Sequence, residues 1–309
     1  MNNFISISKD SPVNYKIYEE AGKNLMDARL EIEKRQGFLN GGEQCFRDDY
    51  PWYRLNIGYT NPLNFGEVHA ELELIKKHVR MGADDAIPPY FQNNHLIFYG
   101  IGVGDTEIEF VDWAIKLGQK EVFITGIDIN KKFLENFIIA LKNRSIEPDE
   151  PTMHFSPRNA LFEQITKKEL TLNKTSNAHI CLGGTIGNFK NQKELFEMFS
   201  NLINTGDSLI LSFQLKNNIE WIMKKYQENP LYPDFILNYI PTNERKKIYW
   251  TMNGETGVIT AKHENIDVFR TTKYDKEKLK ETVSSKRFRF CYEDIDKYNN
   301  SCIQIFEKI

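Results

Sequence analysis

The sequence predicts an α/β protein built on a doubly wound, mostly parallel sheet. Three observations carry that expectation. From about residue 93, short apolar runs alternate with segments of helical spacing. The first apolar run ends in the glycine turn Gly100-Ile101-Gly102-Val103-Gly104, and the last two runs follow one another with no helix between them. Strands that alternate with helices imply parallel pairing through right-handed crossovers.

Taken in order, HLIFY (from His95) enters the glycine turn, and TEIEFVDWAIKLG behind it has the 3.6 period of a helix. EVFITGIDI reads as a second buried strand, followed by the helix KKFLENFIIALKN. TMHFSP, AHICLGG and DSLILSFQL read as three further strands, with the helix QKELFEMFSNLIN between the last two. After the helix KEKLKETVSS, the runs RFRFCYEDID and SCIQIFEKI flank a KYNN turn and predict an antiparallel hairpin at one end of the sheet. An additional block near residues 216–270 holds the helix NNIEWIMKKYQEN and a hairpin around Asn253-Gly254. Four regions result: an N-terminal helical and lid segment (1–90), a cofactor-binding core (91–215), an inserted substrate or lid region (216–270), and a C-terminal completion of the sheet (271–309).

Composition bounds the function. In 309 residues, 40 Lys and Arg against 43 Asp and Glu leave a formal charge of -3, which disfavours nucleic acid as a partner. A hydrophobic content of 40% with 21 Phe and 14 Tyr excludes overall disorder and leaves an aromatic excess to place. Mean hydropathy of -0.51 argues against a membrane protein, and no secretory signal pattern opens the chain. A cytoplasmic protein is therefore expected. Cys45, Cys181, Cys291 and Cys302 lack CxxC spacing, so neither a metal site nor a disulfide framework is expected.

The glycine turn lies between a predicted strand and helix, where backbone can approach a nucleotide-like ligand closely. Gly100, Gly102, Gly104 and Thr106 are the candidate cofactor residues of this turn. Asp128, 24 residues after Gly104 and at the end of the second strand, suits ribose hydroxyls; a helix N-cap is its other reading. NAD and S-adenosylmethionine both use this geometry. The absent third glycine of GxGxxG favours the methyl donor, and so does the C-terminal hairpin, which resembles the last two strands of a seven-stranded class I (Rossmann-like) methyltransferase.

The segment Leu182-Gly183-Gly184-Thr185-Ile186-Gly187-Asn188-Phe189 resembles the signature of the histidine-specific methyltransferase family, whose members include the ergothioneine-pathway enzyme. TGDSLILSFQL, the eleven-residue step from Leu215 to Tyr226, ERKKIYW and TTKYD extend the resemblance over residues 93–309. It implies S-adenosyl-L-methionine as cofactor, with Gly100 and Gly102 at its methionine part, Asp128 on the ribose, Asn159 and Ala160 beside the adenine, and Gly183 lining the pocket. It further implies that Asn188 binds the amino-acid head group of the acceptor and Tyr226 its carboxylate. Asn188 has the alternative of a turn residue with positive φ, and Tyr226 that of a packed helix residue.

The departures from the family pattern are also informative. Phe98 stands where the glycine motif commonly carries an acid. Tyr59 is the nearest match to the family's N-terminal substrate tyrosine, with Tyr53 as a rival. Phe269 and Thr271 align with the glutamate and serine that grip the imidazole, so an acceptor other than histidine is expected. Tyr50, Trp52, Tyr53 and Tyr59 could meet Tyr226, Tyr249 and Trp250 to hold an amine by cation–π attraction. The expectation is an N-methyltransferase of a small-molecule or peptide amine, with Tyr59 relaying a proton. O- or C-methylation, a non-catalytic cofactor-binding subunit and an NAD oxidoreductase are the alternatives.

Overall fold

A computed structural model describes residues 4–7, 18–19, 74, 95–102, 104–128, 131–144, 152–170, 172, 176–183, 185–189, 191–228, 247–263, 265–296 and 300–309. The elements it describes are β1 (Ile5–Ile7), β2 (Tyr18–Glu19), β3 (His95–Tyr99), α1 (Asp105–Lys116), β4 (Glu121–Asp128), α2 (Lys131–Arg144) and β5 (Thr152–Asn159), then α3 (Lys167–Leu170), β6 (Asn177–Cys181), α4 (Gln192–Leu202), β7 (Ser208–Gln214), α5 (Ile219–Glu228), β8 (Tyr249–Asn253), β9 (Val258–His263), β10 (Ile266–Thr272), α6 (Lys276–Ser284), β11 (Phe288–Ile295) and β12 (Ser301–Lys308). Within the expected N-terminal helices, Tyr18–Glu19 form strand and pair with β5, which corrects the first helix at that point, whereas Leu74 of the second is helical and buried. Tyr50, Trp52, Tyr53 and Tyr59 lie outside the described residues.

The main sheet has the order β1-β5-β4-β3-β6-β7-β12-β11, with β2 beside the end of β5. β3 through β7 are parallel, which bears out the doubly wound α/β class. The parallel part of the sheet starts at β3, winds outward through β4 and β5, then returns to lay β6 on the other side of β3. The strand order reverses between β3 and β6, and ligands of such sheets bind at the carboxyl ends of the strands beside that reversal.

All five residues of β3 are buried because both faces of the sheet are covered. Leu96 and Phe98 belong to one core with Phe110, Phe137 and Phe155, whereas Ile97 and Tyr99 belong to the other with Phe162, Phe196, Phe199 and Phe213. Among the described residues, eight Phe and Tyr99 are the largest fully buried side chains, so part of the aromatic excess serves the core.

The expected C-terminal hairpin is present, and its order follows from burial. β12 is buried along nearly its whole length and runs antiparallel between β7 and β11. β11 is only partly buried and carries Glu293 and Asp294, which suits the sheet edge.

The insert forms a separate antiparallel sheet of order β10-β9-β8. Its β8–β9 hairpin closes at Asn253 and Val258, around the expected turn. β10 was not anticipated; it follows a turn in which Asn265 takes a left-handed φ of 68°.

Candidate active site

The glycine turn and the end of β4 are joined directly. Gly102 N–H donates to Asp128 Oδ2 over 3.2 Å, and Gly100 N–H donates to the Ile127 carbonyl over 2.8 Å. Gly100 and Gly104 have φ of 79° and 83°, a backbone that L side chains rarely adopt. A Cβ at Gly104 would also stand 2.6 Å from the Phe137 ring, so the turn must be glycine for packing as well as for conformation. Asp128 sits in register with Asn159, whose Nδ2 donates to the Asp128 carbonyl, as does the Ala160 amide. Gly100, Gly102, Asp128, Asn159 and Ala160 therefore converge on the carboxyl ends of β3, β4 and β5.

Gly183 completes that crevice from the other side of the strand-order reversal. Its amide donates to Ser212 Oγ at the neighbouring strand, its φ is 69°, and the space where a side chain would stand is open to at least 4 Å. These residues fit S-adenosylmethionine: a carboxylate beside a backbone amide for the ribose, a side-chain-free turn, and open space beside Gly183. Thr106 is placed differently, since its hydroxyl donates to Glu107, a buried acid that sequence reasoning missed. Phe98 lies in the core against Phe110 and Phe137, so no acid faces the turn from that position.

The signature loop folds over this crevice. A Cβ at Gly100 would meet Thr185 Oγ1 at 3.0 Å, which places the loop directly against the glycine turn. Thr185–Asn188 form one 3-10 turn, and Asn188 is half-buried within it. Among the described residues, only Asn265 and Arg287 combine a side chain with positive φ, so the left-handed alternative for Asn188 does not hold. Gly187 is needed for close approach: a Cβ there would stand 2.7 Å from the Thr272 carbonyl and 3.2 Å from Thr271 Oγ1. Tyr274, just beyond β10, secures the contact by donating to the Ile186 carbonyl at 2.8 Å and pairing with Gln192 at 2.6 Å. Burial pushes its phenol well above the usual range, so it stays a neutral donor.

Tyr226 is buried on α5 and packs against Trp250 and Phe269, with ring centroids 5.8 and 5.9 Å away. Phe269 meets both other rings steeply, in the edge-to-face manner of packed aromatics. The aromatic grouping expected from the sequence is corrected at Tyr249. Adjacent residues of a strand face opposite sides, so Trp250 joins Tyr226 while the exposed Tyr249 bonds Asn265 at 2.8 Å. The structure thus brings together Asn188's loop, Thr271, Phe269 and Tyr226. Tyr53 and Tyr59 lie outside the described residues. Among the described residues no cluster of metal-ligating side chains occurs, and no helix is long and apolar enough to cross a membrane.

A doubly wound sheet with a glycine turn bonded to an acid, and a second loop closing over its strand ends, defines an enzyme that holds a nucleoside-bearing cofactor. A family model described as histidine-specific, S-adenosylmethionine-dependent methyltransferase matches residues 60–247. The chain belongs to that family; it is an S-adenosylmethionine-dependent methyltransferase with a class I, Rossmann-like core. No curated protein matches it. Solved structures that it resembles include a methyltransferase from Methanosarcina mazei (16% identity, 70% of this chain and 92% of that one, TM-score 0.42). Another is the magnesium protoporphyrin IX methyltransferase of Synechocystis with bound S-adenosylhomocysteine (12% identity, 92% and 96%, TM-score 0.46). A methyltransferase described from Listeria monocytogenes is similar at 11% identity (78% and 99%, TM-score 0.45).

Proposed function

We propose that the enzyme methylates the amine nitrogen of an amino acid, an amino-acid-like metabolite or a peptide end, and that its acceptor is not histidine. The observation that carries this reading is the meeting of the signature loop with β10. Gly187 packs on Thr271 and Thr272, and Phe269, two residues back on the same strand, packs on Tyr226. Phe269 and Thr271 thus form a wall on one strand between the loop that carries Asn188 and the Tyr226 ring. That wall carries an aromatic ring and a threonine at the two positions where the family grips imidazole, so a ring nitrogen would lose its carboxylate partner there.

When bound, S-adenosylmethionine would supply an electrophilic sulfonium methyl group, which would pass to the amine lone pair with the thioether S-adenosylhomocysteine as the leaving group. The protein's task is alignment, worth several orders of magnitude when the reacting atoms are held in line. Asn188 would hold the acceptor's head group from the loop that touches Gly100, and Tyr226 would fix its far oxygen. Tyr59 would relay the amine proton, which favours an alkaline optimum.

The test is methyl transfer from labelled S-adenosylmethionine to a panel of free amino acids, simple amines and short peptides. Transfer to an amine other than histidine is expected. Histidine as the preferred acceptor, or transfer only to hydroxyl or carbon centres, would overturn the reading.

A further inference from the structure

Lys273 is a buried cation at the acceptor wall that sequence reasoning passed over. It is 2% exposed and follows directly on β10. An ammonium taken out of water needs hydrogen bonds to replace its hydration. Nζ donates to the Tyr226 hydroxyl at 2.7 Å and to Gln214 Oε1, the side chain at the carboxyl end of β7. It stands 5.2 Å from the Tyr226 ring centroid. With the hydroxyl only 2.7 Å away, that distance puts Nζ beyond the phenolic oxygen and not over the ring face. The contact is therefore a hydrogen bond.

The direction of that bond is fixed by chemistry. An ammonium has no lone pair, so Tyr226 oxygen must accept and its own proton must point elsewhere. A hydroxyl that accepts from a cation is polarised and becomes a stronger donor. The backbone around Lys273 holds the side chain in place: its N–H donates to the Gly257 carbonyl at 2.8 Å, and the next residue's N–H donates to the Gln214 carbonyl at 2.9 Å.

We propose that Lys273 is the positioning residue of the acceptor side, setting the Tyr226 hydroxyl as a donor and biasing that end of the site toward an oxygen-bearing, anionic group. This rests on the reading that Tyr226 faces the acceptor. A second ammonium brought to the same hydroxyl would meet a like charge in a poorly screened setting, whereas a carboxylate would be attracted.

Two measurements test the proposal. In the first, Lys273→Met, Tyr226→Phe and the double variant are assayed with the best amino acid of the panel and with its carboxamide. Lys273→Met should raise the acceptor KM about tenfold or more, with a smaller change in kcat. It should narrow the preference for the acid over the amide, leave S-adenosylhomocysteine affinity unchanged, and add nothing in the Tyr226→Phe background. Additive losses in the double variant, or an unchanged acid-to-amide preference, would overturn the proposal. The second measurement needs no acceptor and no folded Lys273→Met. In protein labelled with 15N-lysine, a protected ammonium resonance should be visible in the wild type and should move or vanish in Tyr226→Phe. A lysine spectrum that Tyr226→Phe leaves unaltered would overturn it. If the panel yields no methylated product while the resonance responds, the acceptor reading fails and the Lys273–Tyr226 coupling stands.

Discussion

Gly102 N–H donates to Asp128 Oδ2 at 3.2 Å, so the turn after β3 and the acid ending β4 form one unit before any cofactor arrives. Asp128→Ala removes both the ribose acceptor and the brace on the turn. Affinity for S-adenosylhomocysteine should fall about tenfold to a hundredfold, as lost charge-assisted hydrogen bonds predict. Calorimetric titration measures it; wild-type affinity would remove Asp128 from the cofactor site.

Asn188 belongs to the loop against β10 and not to the glycine turn. Asn188→Ala should therefore keep cofactor affinity within about twofold while kcat/KM falls about a hundredfold, the signature of lost acceptor alignment. Steady-state kinetics beside calorimetry separates the two, and full turnover would place the acceptor elsewhere.

Gly257 closes the β8–β9 hairpin with φ of 73°, and a Cβ there would stand 1.9 Å from the Lys273 carbonyl. Neither the conformation nor the space admits a side chain. Gly257→Ala should cost about 2–4 kcal/mol in denaturant unfolding. Because Lys273 N–H bonds the Gly257 carbonyl, the same change should also raise the acceptor KM. Wild-type stability would mean that the insert sheet does not dock in this way.

Buried histidines make the fold acid-sensitive. His95 bonds Asn177 at 2.8 Å and Thr125 at 3.0 Å in the sheet interior. Burial lowers its pKa from 6.5 to about 4, against the opposing effect of Asn177. His179, bonded to Tyr99, is also lowered by burial. A depressed histidine favours the fold while neutral, so its contribution is complete above pH 6.5 and is lost as pH falls toward 4. For His95 this amounts to about 3 kcal/mol. Burial alone would raise Asp207, but the His179 ring 3.7 Å away and the bonds from Asn177 outweigh it and hold the carboxyl low, so its loss comes at still lower pH. Denaturant midpoints between pH 7 and 4 should drop in wild type and drop less in His95→Gln; parallel profiles would sink this assignment.

Much of the sheet was legible because its signals are local. β3, with both faces covered, reads as an unbroken apolar run, and α1, α2 and α4 carry the helical period that packs against it. The glycine turn and Asp128 were legible because close backbone approach demands particular residue types at particular spacings. Tyr249 was grouped with Tyr226 because both are aromatic in one segment, although strand alternation puts Trp250 on the relevant face. Lys273 was missed because one lysine in TTKYD looks like any solvated lysine until its burial is known.

The order of strands and helices, the nucleoside-cofactor turn and the family signature all follow from patterns spanning a few neighbouring residues. Three arrangements do not: β12 lying inside β11, β10 closing on the signature loop, and Lys273 reaching Tyr226, 47 positions away. The physical reason is that local pattern expresses backbone conformation and which face is apolar, whereas partners remote in sequence are chosen by packing. A lysine becomes a positioning residue only when the fold withdraws its water and offers a hydroxyl and an amide oxygen in exchange.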